Sequence, residues 1–354
     1  MPADEIACEH CFYLPHAAVI REEKTTTKTR IVFDASAKDK TGVSLNDRLL
    51  PGPAIHPDIT GILMRFRCKR VALVGDIKKM FLQVRLFDED KKFHRFLWRE
   101  DPSQPIRHYQ MSVMTFGLAD SPVKAILCIR MHVLKVLQQL QPSQAAAESS
   151  KVQAALSLLT NCFVDDALSG ADDDDSAVKL YEDMVSILSS AGFEMRKFLS
   201  NSPAVMERIP EEFRGQSHTV SLTDNIEDGA GEGFAKALGL GWDMKNDMVK
   251  YSDLSFDENA EVTKRTISSE VARLFDPVGL ISPFIMQGKI LMQKTWAEKL
   301  AWDEKVNTDM LRDFQKWQRQ IRLLSRVQIP RCIFLPKEYP GFKTQAILFR
   351  GDAT

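Results

Sequence analysis

Cys162-Phe163-Val164-Asp165-Asp166 is a brief apolar run closed by two acids, which reads as a strand entering a tight turn. A second run, Val71-Ala72-Leu73-Val74, is a buried strand that ends at Gly75-Asp76. Three acids, Asp76, Asp165 and Asp166, therefore sit where buried strands run out. Carboxylates in such places suit hard cations, because magnesium takes oxygen ligands. Two ions about 3.5–4 Å apart hold the attacking and leaving oxygens of an in-line phosphoryl transfer. Adjacent acids alone say little, since most are exposed turn residues, and the run Asp172 to Asp175 reads that way, as a solvated turn into a helix. What sets Asp165-Asp166 apart is the apolar strand before them and the partner acid ending another strand.

Outward from these strands, Ser121-Pro122 starts a helix, with Ser as the cap and Pro at the first helical position. Its apolar face runs through positions 123, 126, 127, 133, 134 and 137. Ser176 opens another helix, with Val178, Tyr181, Val185 and Leu188 inward and Gly192 as its stop. Lys236 to Trp242 reads as a strand or hairpin, and positions 284–300 and 308–324 are helical. Residues 141–150 and 212–233 read as loops. The fold class is α+β, with helices packed on a mostly antiparallel sheet and a helical region after it.

The chain's 354 residues allow two or three packed parts, and no apolar run approaches a membrane span. The N-terminus is acidic and lacks an apolar signal core, so a cytoplasmic setting is expected, with no secretion and no membrane. Net charge is −1, so the whole-chain balance gives nucleic-acid binding no support. Locally, Arg65, Arg67, Lys69, Arg70, Lys78 and Lys79 face only Asp76, a stripe able to track phosphates but more simply read as a solvated face. The six cysteines show no disulfide framework. Cys8 and Cys11 stand near His10 and His16, but a zinc site usually needs a second pair, and the two read as plain cysteines near a frayed end.

Six blocks then occur in one order that resembles the reverse transcriptases. Thr29-Arg30-Ile31-Val32-Phe33-Asp34 resembles their fingers strand, and Gly75-Asp76-Ile77-Lys78-Lys79-Met80-Phe81 their first catalytic block. Thr115-Phe116-Gly117-Leu118-Ala119-Asp120-Ser121-Pro122 resembles the block between the acids, and Phe163-Val164-Asp165-Asp166 the [Tyr/Phe]-x-Asp-Asp hairpin. Gly192 to Phe198 resembles the next block, and Leu238-Gly239-Leu240-Gly241-Trp242 the primer grip. Tyr13-Leu14-Pro15-His16, Val32 to Ser36, Ser44-Leu45-Asn46-Asp47 and Phe275-Asp276-Pro277-Val278-Gly279-Leu280 are similar to the BEL/Pao class of long-terminal-repeat retrotransposons. The resemblance covers roughly residues 12–350.

It implies a right-hand polymerase: a frayed segment 1–11, fingers and palm over 12–245 with an antiparallel palm sheet backed by helices, a thumb- or connection-like helical region over 246–345, and the start of a ribonuclease H-like domain at 346–354. It further implies that Asp76 and Asp165 ligate two magnesium ions, manganese being a possible substitute, with Asp166 as the third acid and the Ile77 carbonyl as a further ligand. Phe81 would exclude a 2′-hydroxyl, Arg30 would reach the triphosphate with help from Lys24 or Lys28, and Phe116 and Gly117 would floor the templating pair. Lys197 is open to two readings, a general acid for the leaving pyrophosphate or a surface lysine. Leu240, Gly241 and Trp242 would steady the primer end, a buried hairpin being the other reading.

The implied activity is RNA-directed DNA polymerisation, acting on an RNA or DNA template-primer with deoxynucleoside triphosphates. Protease, integrase and the rest of ribonuclease H would lie outside this sequence; Asp352 would be that domain's first acid. Phe163 in place of the commoner Tyr keeps the ring, and Asp120 stands where the middle block often has Asn or a small residue, with template contacts in question. The alternatives are an inactive retroelement remnant that at most binds nucleic acid, and a metal-dependent phosphohydrolase, which explains the acids but not the other blocks.

Overall fold

The computed structural model describes residue 6 and residues 10–20, 29–140, 147–215, 234–237, 240–251 and 261–334. Cys8, Lys24, Lys28, Leu238, Gly239 and Asp352 lie outside the described residues. The chain divides into two compact units. The first comprises Met1–Pro57, Asp76–Ala167 and Glu182–Met195; the second comprises Asp58–Gly75, Leu168–Tyr181 and Arg196–Thr354.

In chain order the elements begin with β1 (His16–Ile20) and β2 (Thr29–Phe33), an antiparallel pair. Then come α1 (Ile59–Phe66) and β3 (Val71–Ile77). The strand does not stop at Gly75-Asp76 but runs on through Ile77, because the buried apolar pattern resumes after the half-buried Asp76. A 3-10 turn over Met80–Gln83 is followed by the antiparallel pair β4 (Arg95–Trp98) and β5 (Arg107–Gln110).

The helix α2 (Ser121–Gln139) places Asp120, not Ser121, at the cap position. Ser121 lies in the first turn and donates its hydroxyl to the Thr115 carbonyl at 2.9 Å, which leaves it no role as a cap. The buried face of α2 is Ala125, Ile126, Ile129 and Val133, whereas Leu127 and Leu134 are exposed. Then α3 (Ala147–Thr160) occupies part of the stretch read as a loop, since the alanines there favour helix. Next come β6 (Cys162–Phe163), β7 (Asp166–Ala171) and α4 (Asp174–Ser189). This helix starts two residues before Ser176: Asp173 accepts from the Ser176 N–H at 2.8 Å and from its hydroxyl at 2.9 Å, so the cap lies inside the acidic run. Gly192, at φ +82°, follows its end as expected.

The rest of the described chain is β8 (Met195–Ser200), α5 (Pro203–Arg208), β9 (Phe234–Ala237), β10 (Leu240–Asp243), β11 (Met248–Lys250), α6 (Lys264–Arg273), α7 (Ser282–Ala297), α8 (Thr308–Ile321) and β12 (Gln328–Pro330). The central sheet has the order β6-β7-β3-β8, and a second four-stranded sheet runs β12-β11-β10-β9. The pairings of β1–β2, β4–β5, β6–β7 and β9 through β12 are all antiparallel. This is the α+β class expected.

Within the first unit, Leu14, Phe33, Ala35, Leu45 and Leu118 form a core cluster. Within the second, α6, α7 and α8 close around Ile267, Val271, Phe314, Trp317 and Ile321. Helix α8 is held in register by its buried stripe Met310, Phe314, Trp317 and Ile321, and Asn307 caps it by accepting from the Met310 N–H at 2.9 Å. Among the described residues no helix is long and apolar enough to cross a membrane.

Candidate active site

Residues Cys162 to Ala167 form a β-hairpin in which Phe163 faces Asp166, so that Val164 and Asp165 are its two-residue loop. Such loops require a left-handed residue to match the strand twist. Here that residue is Val164, at φ +57°. A β-branched residue there is strained, at roughly 1–3 kcal/mol, and persists only where its surroundings hold it. Two contacts do so. The Phe163 ring meets His56 edge-on at 4.9 Å, and the Ile77 N–H donates to the Asp165 carbonyl at 2.8 Å. That second bond ties the hairpin to the end of β3, which carries Asp76.

That bond brings Asp76 and the Asp165-Asp166 pair onto neighbouring backbone. The fully buried Cys162 thiol is pushed far above its ordinary range, first by burial and then by the carboxylates of Asp166, Asp165 and Asp76 acting together. Asp166 is buried, while Asp76 and Asp165 are half-buried. Carboxylates carry the hard oxygen donors that magnesium takes. Among the described residues, no three His, Cys, Asp or Glu side chains stand at metal-holding spacing. In donor type alone, Asp76, Asp165 and Asp166 suit a divalent cation, although their side chains do not stand together as a metal-holding group here. Ile77 is placed beside them, its side chain fully buried.

The chain beyond Ile77 is pinned to the segment before β8. Lys78 N–H donates to the Glu194 carbonyl at 2.9 Å, and its ammonium pairs with the Glu194 carboxylate at 2.9 Å. Gln83 bridges the same region, accepting from the Glu194 N–H at 2.9 Å and donating to the Lys78 carbonyl. Lys79 takes a left-handed φ of +47°, which turns the chain into the 3-10 segment and sets Phe81.

Phe81 meets Phe116 edge-on, with ring centroids 4.8 Å apart. Phe81 is 9% exposed and Phe116 46% exposed, so one ring is packed and the other offered to solvent. Gly117 has φ +96°, and a Cβ there would stand 2.0 Å from the Phe33 carbonyl oxygen, so no other residue fits. The structure therefore brings Phe81, Phe116 and Gly117 together. Asn46, quoted above only as part of a motif, turns out to hold this loop. Its side chain bonds Gly117 and Ala119. A polar residue in a short motif gave the sequence reading no reason to assign it that task.

The other expected residues are each placed by their own element. Arg30 lies exposed on β2, opposite Val19. Lys197 lies on β8 in the second unit with φ +55°. In the hairpin β10–β11, the Trp242 indole is 1% exposed, packs edge-on against Phe66 at 5.3 Å and donates to Asp247 at 3.0 Å. That ring anchors the hairpin. Gly241 pairs with Lys250 and Lys236 in the sheet, and Leu240 with Ala237.

The basic stripe dissolves into separate tasks. Arg67 is buried and donates to the Arg331 and Pro330 carbonyls. Lys69 pairs with Asp172 at 2.8 Å, and Lys78 with Glu194. Asp120 is buried and pairs at 2.5 Å with Lys124, one turn into α2.

A family model described as reverse transcriptase (RNA-dependent DNA polymerase) matches residues 23–197. A second, described as Pao retrotransposon-like RNaseH-like domain, matches residues 263–354. The first span holds the three acids, the Phe81–Phe116 pair and Asn46. No curated protein matches the chain.

Proposed function

The chain belongs to the reverse transcriptases of Pao-type retrotransposons, an RNA-directed DNA polymerase family, and from that premise we propose that Asp76, Asp165 and Asp166 are its catalytic acids in two-metal addition of deoxynucleotides to a primer 3′-hydroxyl. The observation that supports this is the bond from the Ile77 N–H to the Asp165 carbonyl at 2.8 Å, which ties the Asp165-Asp166 hairpin to the strand that carries Asp76. Asp76 and Asp165 would hold two magnesium ions, or manganese in their place, with Asp166 beside them and the Ile77 carbonyl as a further oxygen. Magnesium so bound supplies Lewis-acid stabilisation of charge developing on the phosphoryl oxygens.

The side chains of the chain itself then position the reactants. Phe81 walls the sugar site and excludes a 2′-hydroxyl by shape. Phe116 and Gly117 floor the templating pair. Arg30 offers a fixed fork to triphosphate oxygens, which suits their geometry. Lys197 holds a proton for the departing pyrophosphate. The Leu240-Gly241 backbone, braced by the buried Trp242, steadies the primer end.

In this reading residues 12–245 are fingers and palm, 246–345 a thumb- or connection-like region, and 346–354 the opening of a ribonuclease H-like domain. The matched Pao description carries its ribonuclease H-like label back to residue 263, so the boundary at 346 rests on the Phe349–Asp352 pattern alone. The partners are an RNA or DNA template-primer, deoxynucleoside triphosphates and the other domains of a polyprotein, in the cytoplasm or a virus-like particle.

The test is primer extension on an RNA template with magnesium, comparing the wild type with Asp165→Asn. The expected result is extension by the wild type and a loss of at least about a hundredfold in the variant, the scale of removing a main charge-stabilising group. A folded wild type that binds template-primer and extends nothing, with magnesium or manganese, would identify an inactive remnant instead.

A further inference from the structure

Asn46 uses both ends of its side-chain amide on one loop. Its Nδ2 donates to the Gly117 carbonyl at 3.0 Å and to the Ser36 hydroxyl at 2.8 Å, while its Oδ1 accepts from the Ala119 N–H at 2.9 Å. The reverse amide orientation would set oxygen against oxygen and N–H against N–H, so these partners also fix which way the group points. Asn46 is itself held. Its N–H donates to the Ala35 carbonyl at 3.0 Å, and the turn around it is closed by Ser44 N–H donating to the Asp47 carboxylate at 2.8 Å.

The loop it grips has little other freedom. The Thr115 carbonyl accepts from the Ser121 hydroxyl at 2.9 Å, and the Cα of Gly117 lies directly against the Phe33 carbonyl. Between these fixed points stands Phe116, half-exposed, with its ring on Phe81 at 4.8 Å. Phe116 is half open to solvent, and the backbone on either side of it is held.

We propose that Asn46 is a positioning residue for sugar selection: by clamping Gly117 and Ala119 it fixes Phe116 on Phe81, and so fixes how far Phe81 can yield to a ribose 2′-hydroxyl. This rests on the polymerase reading given above. Asn46 touches neither substrate nor metal in this role. Without the clamp the 116–119 backbone relaxes, the Phe81 ring loses its backing, and room opens for one extra oxygen. A pocket contact of that size is worth about tenfold in discrimination.

The experiment measures single-nucleotide incorporation of a deoxy- and a ribonucleoside triphosphate by the wild type, Asn46→Ala and Asn46→Asp, with hydrogen exchange of residues 115–121 followed in parallel. Asn46→Asp keeps the acceptor for Ala119 and sets a carboxylate oxygen against the Gly117 carbonyl, so it tests the clamp even if the alanine variant folds poorly. The expected result is a fall of about tenfold in the ratio of kcat/KM for deoxy- over ribonucleotide, driven by a gain for the ribonucleotide, with faster exchange at Ala119. A merely structural residue would lower both substrates together. An unchanged ratio in either folded variant overturns the proposal, as does an equal loss for both nucleotides. A wild type that extends no primer overturns the polymerase reading and this inference with it.

Discussion

Arg331 is 0% exposed and spends all five of its guanidinium protons inside the second unit. Nε and Nη2 donate to the two carboxylate oxygens of Asp247 at 2.6 and 2.8 Å. Nη1 donates to the carbonyls of Phe66 and Lys69 at 2.6 and 2.8 Å, and Nη2 also to that of Arg70 at 2.9 Å. It thereby joins the chain after α1 to the β10–β11 hairpin, and Asp247 carries the link on to the Trp242 indole. Replacing Arg331 with Met keeps an unbranched side chain and removes every donor. Breaking a buried ion pair from one side costs about 3–5 kcal/mol, because the remaining charge is stranded. The three orphaned carbonyls are part of that loss, since such effects do not add. The assay is hydrogen exchange across the β10–β11 hairpin, which reads local opening. At roughly 1.4 kcal/mol per tenfold, exchange there should quicken by two to three orders of magnitude, up to the limit set by global unfolding. Adding Asp247→Asn to Arg331→Met should recover part of the loss by removing the stranded charge. Acceleration of less than tenfold in Arg331→Met would refute the reasoning.

Two further outcomes concern the helices of the second unit. Burial raises the Glu270 carboxyl from its ordinary 4.5 to about 7, with Arg273 and the Gln318 amide opposing the rise. The folded form then holds a proton that the unfolded form releases, so this stabilisation is full below pH ~4.5 and disappears as pH rises through about 7. Thermal unfolding should show Glu270→Gln more stable than the wild type at pH 8, by roughly 3 kcal/mol, with the gap closing towards pH 5; a gap independent of pH would contradict the assignment. Gly288→Ala gains helix propensity of about 1 kcal/mol, but its Cβ would stand 2.5 Å from Trp317 Cζ2 and 2.8 Å from Val271 Cγ2. Trp317 cannot swing aside without losing its bond to the Phe284 carbonyl, so overpacking prevails, with a net loss of about 1–2 kcal/mol in urea unfolding. A stabilised variant would show that α7 and α8 can move apart.

The apolar strands and the acids that follow them were legible because burial writes a pattern into consecutive residues. Val71 to Val74 and Cys162-Phe163 read directly as strands, and 308–324 as the helix that ends at Ile321 with a 3-10 turn after it. What escaped was set by pairs far apart in sequence. Arg331 looks like any polar residue near a strand, and only its partners at 66–70 and 247 make it a buried hub. Cap positions slipped by one to three residues: the Ser176 N–H selects Asp173, and Ser121 is drawn away from capping by its bond to the Thr115 carbonyl, leaving Asp120 at the cap position without a side-chain bond. The stripe of cations from Arg65 to Lys79, read as a solvated face, is one for Arg65, Arg70 and Lys79, which are exposed, but not for Arg67. Charge along the chain carries no information on which side chains turn inward, and Arg67 does.

Val164 shows why the candidate site could be located from sequence yet not understood from it. Local preference argues against a β-branched residue at φ +57°, so no reading of propensity would place one there. A Gly at this position would relieve the strain while giving the loop more freedom when unfolded and more latitude when folded. Val restricts that latitude, and the Ile77–Asp165 backbone bond together with the His56–Phe163 contact sets the one conformation left. The carboxylate of Asp165 is then carried by a backbone with little room to drift, beside an Asp76 whose strand is buried up to the residue before it. Like charges repel, so it is backbone bonding and not the carboxylates that keeps the Asp165 hairpin against the strand of Asp76. A hairpin that accepts strain of roughly 1–3 kcal/mol is held by its surroundings rather than by its own preference, which is the rigidity that the catalytic role proposed for Asp165 would require.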